Sequence, residues 1–227
     1  TNKRLLLLGE QGIGDSMMFI TCIPSLLREG AKITVIVPQR LKEIYARSLN
    51  NCRVLGEKDM REKAPSHEEF DLQSPLGSIL QYRFTDLKDY GKDAALLTPN
   101  PKRVEILRKR YECNKPLIGI SWQGGGKGGR ISQKSINIGL LCHTLKALPV
   151  RFISLQYGDD AELVSKVVEK HKLDLIDDPE IQAVQDMEDW LNQVATCDAV
   201  ISVANTTIHG AGGLGKPTLC LLGAKPD

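Results

Sequence analysis

Near its start the chain reads Arg4-Leu-Leu-Leu-Leu-Gly-Glu-Gln-Gly-Ile-Gly-Asp15, a short apolar run followed by a glycine-rich turn. The arrangement returns at Leu117–Trp122, which leads into the glycine-rich segment Gln123–Arg130. In both halves, short apolar runs alternate with longer segments of helical period, which is typical of parallel strands joined by crossover helices. The sequence therefore predicts an α/β protein with two doubly wound units.

The second start of this pattern also sets the predicted domains. Asn114-Lys115-Pro116 separates the two series, so we predict an N-terminal Rossmann-like domain at residues 1–112 and a C-terminal one at residues 113–227. Because ligands of doubly wound sheets bind at the carboxyl ends of the strands, we expect the two domains to face each other across a cleft. The polar segment Glu57–Glu69 contains Pro65 and has no clear period, so it is predicted to be a surface loop.

Composition and charge exclude several classes of protein. Of 227 residues, 30 are basic and 28 are acidic, and a net charge of +2 gives no field that would attract nucleic acid. The 6 cysteines form no Cys-x-x-Cys pair, which predicts reduced thiols in a cytoplasmic protein and no metal site. No apolar run approaches the roughly 20 residues that span a bilayer, so no integral membrane segment is predicted. No methionine precedes Thr1, and we expect further domains of the same polypeptide.

The first glycine-rich turn would let backbone amides approach an anion at the start of the next helix, with Gly12 and Gly14 as candidate contacts. Its spacing is not the G-x-G-x-x-G pattern of dinucleotide-binding proteins. The second strand also ends without the acidic residue that would hold a ribose, which disfavours hydride transfer. Asp15 has two interpretations, a helix N-cap and a functional carboxylate, and the residues alone do not separate them.

The second glycine-rich turn, Gln123–Arg130, holds five glycines and two cations within eight residues. Lys127 and Arg130 in such a flexible backbone are suited to surround a phosphate. The segment lacks the Gly-Lys-Ser/Thr ending of a P-loop, and a solvated loop is the alternative.

The strongest local signal is the stretch from Ile201 to Gly213, where a strand runs into a helix that begins Asn205-Thr206-Thr207. Free N–H groups, hydroxyls and the positive end of the helix dipole meet there, which favours a diphosphate. His209 lies one turn further on, although a lone histidine is also commonly a packed residue. The helix contains Gly210, Gly212 and Gly213, which predicts close packing against a neighbouring backbone.

Three segments together resemble the glycosyltransferase 9, or heptosyltransferase-like, family. They are Leu5 to Asp15, Leu155-Gln-Tyr-Gly158 and Ser202 to Pro217, in the family's order along nearly the whole chain. The resemblance is strongest to members fused to tetratricopeptide repeats. It implies a GT-B fold, a nucleotide-sugar donor and an inverting mechanism, and the absence of an Asp-x-Asp motif agrees with metal independence.

The resemblance also assigns roles by position. Asp15 matches the proposed catalytic base, Lys127 a phosphate-binding lysine and Asp160 an acid that holds the ribose. Met187 matches a side chain that lies against the nucleobase. The diphosphate-binding turn corresponds to Asn205, Thr206 and His209, and the further predicted donor contacts are Gly12, Gly14, Gln123, Arg130, Gln156 and Thr207.

The sequence thus predicts an inverting, metal-independent glycosyltransferase without a cofactor. It would move a sugar from a nucleoside-diphosphate sugar to a hydroxyl of a glycan, a lipid-linked or a protein acceptor, and the base, the sugar and the acceptor stay open. Ala204 stands where the family has aspartate, which motivates one alternative, a catalytically degenerate module that binds sugar nucleotides or a partner. A nucleotide-sugar epimerase is a more distant alternative, because it would convert the sugar without an acceptor.

Overall fold

The structure is a computed structural model that describes residues 2–89, 95–125, 131, 134–158 and 161–223. The chain forms two compact units, Thr1–Thr98 with Gly213–Gly215, and Pro99–Gly212 with Lys216–Asp227. The described strands form two separate sheets, and the pairings within each sheet are parallel. The predicted α/β class with two Rossmann-like units is therefore confirmed.

Four parallel strands form the sheet of the first unit in the order β3-β2-β1-β4. They are β1 (Arg4–Leu8), β2 (Lys32–Val37), β3 (Cys52–Gly56) and β4 (Leu72–Pro75). The accompanying α-helices are α1 (Ile13–Phe19), α2 (Ile23–Arg28), α3 (Lys42–Ser48), α4 (Glu57–Lys63) and α5 (Leu76–Arg83). Short 3-10 turns lie at Ile20–Cys22, Gln39–Leu41, His67–Glu69 and Leu87–Asp89. Leu7 pairs in register with both Val35 and Ser74, so the loop after β1 leaves the middle of the sheet.

The segment Glu57–Lys63 is an α-helix, so the predicted surface loop was wrong there. The Gly56 N–H donates to Asp59 Oδ2 at 2.7 Å, and the same carboxylate pairs with Lys42 at 2.9 Å. This contact caps the first turn of α4. No residue of the helix is buried, so no apolar period in the sequence reveals it.

Five parallel strands form the sheet of the second unit in the order β7-β6-β5-β8-β9. They are β5 (Leu117–Ser121), β6 (Arg151–Ser154), β7 (Leu175–Ile176), β8 (Ala199–Val203) and β9 (Thr218–Leu221). The described helices that follow the first unit are α6 (Pro101–Arg110), α7 (Ile138–Leu145), α8 (Ala161–His171), α9 (Met187–Thr196) and α10 (Thr206–Gly213). Among the helices described for the chain, none is long and apolar enough to cross a membrane. The strand order places β5 between β6 and β8, as in a doubly wound half.

The middle strand of the second sheet is buried along nearly its whole length. Ile120 is fully buried in an apolar cluster that includes Trp122, Leu141 and Phe152. Such a continuous apolar strand is typical of a parallel sheet with helices on both faces. The core therefore holds the carboxyl end of β5 firmly in place.

Helix α6 packs with α9 in the second unit. The Arg103 guanidinium donates to both carboxylate oxygens of Asp189 at 2.7 and 2.6 Å, and the Asn100 N–H donates to Asn192 Oδ1 at 2.8 Å. These contacts group α6 with the second unit, whereas the sequence analysis drew its boundary between residues 112 and 113. The sequence places the boundary just before the next predicted strand. The side-chain contacts of the connecting helix decide which unit that helix packs with.

Two glycines of α10 have different surroundings. A Cβ on Gly210 would come within 2.7 Å of the Trp190 ring atom Cη2, and Trp190 is 2% exposed. A Cβ on Gly212 would meet nothing within 4 Å. The neighbour of Gly210 is thus a side chain rather than the backbone that the sequence analysis expected.

We expect Gly210→Ala to lower the free energy of unfolding by about 1–3 kcal/mol, because the buried ring must move. Gly212→Ala is the matched control in the same helix, and we expect it to raise that free energy by up to about 1 kcal/mol through helix propensity. Urea unfolding of both variants measures the difference. Equal effects at the two positions would show that α10 does not pack against Trp190.

Candidate functional site

The candidate site lies at the carboxyl ends of the strands in the second unit. A cavity of about 40 Å³ opens there beside Trp122, Gln123, Gln156 and Tyr157. This edge is where doubly wound sheets bind their ligands. Buried polar side chains converge at the same edge, so its geometry is fixed by hydrogen bonds.

Gln156, just after β6, holds the start of the loop that follows β5. Its Oε1 accepts from the Trp122 N–H at 3.1 Å and from the Gln123 N–H at 2.9 Å. The Ser121 hydroxyl donates to the same oxygen at 3.0 Å. The Gln156 amide therefore orders the first residues of the glycine-rich loop from within the protein.

Asn205, just before α10, connects that loop to the helix. Its Nδ2 donates to Ser121 Oγ at 2.8 Å and to the Gln123 carbonyl at 3.0 Å. Its Oδ1 accepts from the Thr207 N–H at 2.8 Å. With 8% of the residue exposed, Asn205 acts as the side-chain cap of α10 and as a bridge to β5.

The first turn of α10 carries polar groups that have no partner among the described residues. Among the described residues, no acceptor is recorded for the Thr206 N–H, and the buried hydroxyl of Thr207 has no hydrogen-bond partner. His209 is half-buried on the same helix. A backbone N–H at the positive end of a helix favours an anion.

The glycine-rich loop is described only at its start. A Cβ on Gly125 would lie 3.0 Å from the Tyr157 hydroxyl, and one on Gly124 would lie 2.5 Å from Cβ of Lys134. Gly124 is therefore needed for the close approach of Lys134, whereas the Tyr157 side chain could adjust to a Cβ at position 125. The predicted site residues Lys127, Arg130 and Asp160 lie outside the described residues.

Met187, predicted to lie against the nucleobase, is the first residue of α9 and is 5% exposed. Gln123 and Gln156 are half-buried, as is Thr206. The structure therefore brings Gln123, Gln156, Asn205 and the first turn of α10 together. The roles of these residues in donor binding stay predictions.

In the first unit, Asp15 takes part in the start of α1. Its Oδ2 accepts from the Gly12 N–H at 2.9 Å, and the residue is half-buried. No described residue bonds Oδ1. Gly14 is the second residue of α1. The cap and a reactive carboxylate are compatible, because one oxygen serves the helix and the other is available.

The residues before Asp15 are held tightly. Glu10 Oε1 accepts from the Gly77 N–H at 2.9 Å, which ties the loop to the first turn of α5. Gln11 has a φ of 61°, in the left-handed region that disfavours residues with a Cβ. Strained backbone of this kind often occurs at functional loops.

The sequence analysis did not identify Ser121 and Ser202, which share the polar network. Both are fully buried and lie opposite each other in the register of β5 and β8. The Ser202 hydroxyl contacts Asn205 Oδ1 at 3.1 Å. The sequence does contain a feature that could have identified them. Each serine lies near the end of an apolar strand, at a position where a small hydrophobic residue is expected.

The buried thiols of Cys22 and Cys197 are unsuited to nucleophilic chemistry. All six cysteines are free, and burial raises the pKa of Cys22 and of Cys197 to about 12. A thiol with so high a pKa stays protonated at neutral pH and is a poor nucleophile. Within the described ranges, no group of three or more His, Cys, Asp and Glu is arranged to hold a metal ion.

The described strands form two separate parallel sheets, which is the arrangement of the GT-B fold. The glycosyl transferase family 9 protein of Veillonella parvula has a TM-score of 0.70 at 12% identity, covering 99% of this chain and 82% of its own. The E. coli ADP-heptose lps heptosyltransferase II has a TM-score of 0.67 at 12% identity, covering 96% and 84%. This likeness shows the fold.

Sequence comparison adds one longer relative. Protein FlbA of Caulobacter vibrioides is 26% identical over 236 residues, which cover 98% of this chain and 40% of FlbA. The chain thus spans 40% of the length of this curated relative. No protein-family model matches the chain.

Proposed function

We propose that the chain is the catalytic part of an inverting, metal-independent glycosyltransferase of the family 9 type. It would transfer a sugar from a nucleoside-diphosphate sugar to an acceptor hydroxyl, without a cofactor. The observation that carries the proposal is the first turn of α10, where Asn205 engages the Thr207 N–H and the Thr206 N–H has no acceptor among the described residues. Such a turn offers a fixed donor to a diphosphate.

In this mechanism, Asp15 accepts the proton of the acceptor hydroxyl while the acceptor oxygen forms its bond to the anomeric carbon. The bond from that carbon to the diphosphate breaks on the opposite face, and its electron pair leaves with the diphosphate. The Thr206 N–H and the helix dipole stabilise the departing charge. Lys127 and Arg130 are proposed to add cationic contacts, and Asp160 and Met187 to contact the nucleoside.

A second candidate is a degenerate module that binds the sugar nucleotide without transferring the sugar. One observation favours it. Ala204 replaces the aspartate expected from the family resemblance. The proposal also includes a cytoplasmic location, because of the cysteine pattern, and an association with tetratricopeptide repeats, because of the family resemblance.

Thermal unfolding with ADP-, UDP-, GDP- and CMP-sugars tests whether a donor site exists. ADP-heptose is the first compound to test, because the E. coli enzyme of similar fold is named for it. A donor at about 100 times its Kd stabilises the folded state by about 2.7 kcal/mol. For a chain of this size this predicts a rise in Tm of about 5–10 °C. If no sugar nucleotide raises Tm, the chain has no donor site and the proposal is wrong.

Donor consumption separates the transferase from the binding module. The donor that raises Tm is incubated with glycan, lipid-linked and peptide acceptors, in EDTA and in Mg²⁺ or Mn²⁺. We expect sugar transfer at equal rates in all three conditions. Binding of the donor without its consumption would favour the binding module. Conversion of the donor without an acceptor would favour an epimerase. Transfer that strictly requires added metal would contradict metal independence.

A further inference from the structure

Ser121 occupies the centre of the polar network in the second unit. It is the last residue of β5 and is fully buried. Its hydroxyl donates to Gln156 Oε1 at 3.0 Å and accepts from Asn205 Nδ2 at 2.8 Å. One hydroxyl therefore links the segment after β6 to the cap of α10, across the strand between them.

Gln156, Ser121 and Asn205 form a series of hydrogen bonds. The backbone groups at the two ends of this series fix which atom donates and which accepts in each bond. Gln156 presents Oε1 because it accepts the N–H groups of Trp122 and Gln123. Ser121 must then donate to Gln156 and can only accept from Asn205. The Asn205 amide is thereby turned with Nδ2 toward Ser121 and Oδ1 toward the Thr207 N–H.

The orientation of Asn205 determines which N–H of α10 is left for a ligand. With Oδ1 on the Thr207 N–H at 2.8 Å, the cap occupies the second residue of the helix. Asn205 Nδ2 also holds the Gln123 carbonyl at 3.0 Å, at the start of the glycine-rich loop. A change in this amide would disturb the loop and the helix start together, because cooperative networks act as a unit.

We propose that Ser121 is a positioning residue of the donor site, acting through Asn205 and Gln156 without touching the nucleotide. This inference rests on the proposed function, because the diphosphate is the ligand that the positioned groups would bind. Loss of the hydroxyl would leave the fold and its core in place. It would release the Asn205 amide from one of its two partners on the loop side.

Isothermal titration with ADP, UDP and GDP on four variants of the full chain tests the inference. Ser121→Thr and Ser121→Val have the same shape and differ only in the hydroxyl, and Ser121→Ala is the smaller variant that avoids crowding. Ser16→Ala is the matched control, since Ser16 is also fully buried and its hydroxyl bonds Tyr45 at 3.1 Å in the first unit.

We expect Ser121→Ala and Ser121→Val to weaken the nucleotide that binds wild type by about tenfold, the size of one neutral hydrogen bond. Ser121→Thr should stay within about threefold of wild type, and Ser16→Ala should have an unchanged Kd. Measurement well below Tm keeps every variant folded. A general loss of stability then leaves Kd unaffected.

Wild-type affinity in Ser121→Ala and Ser121→Val would overturn the positioning role alone. Equal losses in Ser121→Thr and Ser121→Val would also overturn it, since side-chain shape and not the hydroxyl would then matter. If wild type binds none of the three nucleotides, the proposed function fails and this inference fails with it.

Discussion

Asp15→Asn is expected to lower the rate of sugar transfer by about 10²–10⁴-fold, the usual effect of removing a general base. Nucleotide affinity should stay within about twofold of wild type. The reason is that Asp15 belongs to the first unit, whereas Thr206, whose N–H is proposed to bind the diphosphate, belongs to the second. Turnover with the best acceptor and a titration with the nucleotide measure the two quantities separately.

Asparagine is the informative substitution because it preserves the helix cap. The Gly12 N–H donates to Asp15 Oδ2 at 2.9 Å, and the amide oxygen of asparagine can accept the same bond. Asp15→Ala removes the cap as well, so we expect it to lower the free energy of unfolding by about 1 kcal/mol. A lost rate with unchanged stability in Asp15→Asn would thus be a chemical effect.

Asp59 offers a matched control in the same unit. It caps α4 as Asp15 caps α1, with its Oδ2 2.7 Å from the Gly56 N–H. Asp59→Asn should therefore transfer sugar at the wild-type rate. If Asp15→Asn also transfers at that rate, Asp15 is only a helix cap, and the base must be sought elsewhere.

Thr206→Pro is expected to weaken nucleoside-diphosphate binding by at least about tenfold, because proline removes the N–H assigned to the diphosphate. The fold should survive. Proline is well tolerated at the first position of a helix, and the Thr206 N–H bonds no described residue. The effect on Kd should therefore exceed the effect on Tm.

The chain itself contains the arrangement that this variant would create. Helix α6 begins with Pro101 directly after Asn100, whose Oδ1 accepts from the N–H groups of Lys102 and Arg103. Asn205 caps α10 through the Thr207 N–H in the same manner. An asparagine cap followed by proline is thus compatible with a helix start in this protein.

Thr206→Ala is the control for the side chain, since it keeps the backbone N–H. We expect its Kd to remain closer to that of wild type than the Kd of Thr206→Pro. Titration of both variants with the nucleotide that binds wild type makes the comparison. Unchanged binding by Thr206→Pro would mean that the diphosphate does not use this N–H, and the site would have to be placed elsewhere.

Local sequence was sufficient wherever an element buries an apolar pattern. The two apolar runs that open the halves of the sequence form the strands Arg4–Leu8 and Leu117–Ser121. Helix α4 escaped prediction because none of its residues is buried. Local motifs at a strand end and a helix start predict Gln123, Asn205 and Thr206, whereas Gln156 is predicted from the segment that resembles the glycosyltransferase 9 family.

The sequence by itself determined the α/β class, the two series of strands and the helix start at Asn205, because apolar runs and capping residues act over short distances. Tertiary structure alone decided that Ser121 bonds both Gln156, 35 positions away, and Asn205, 84 positions away. These partners meet because the sheet places β5 between β6 and β8. Strand order depends on how helices pack across the whole unit. A sequence motif can therefore predict the residues of a site, but it does not predict the hydrogen bonds that orient them.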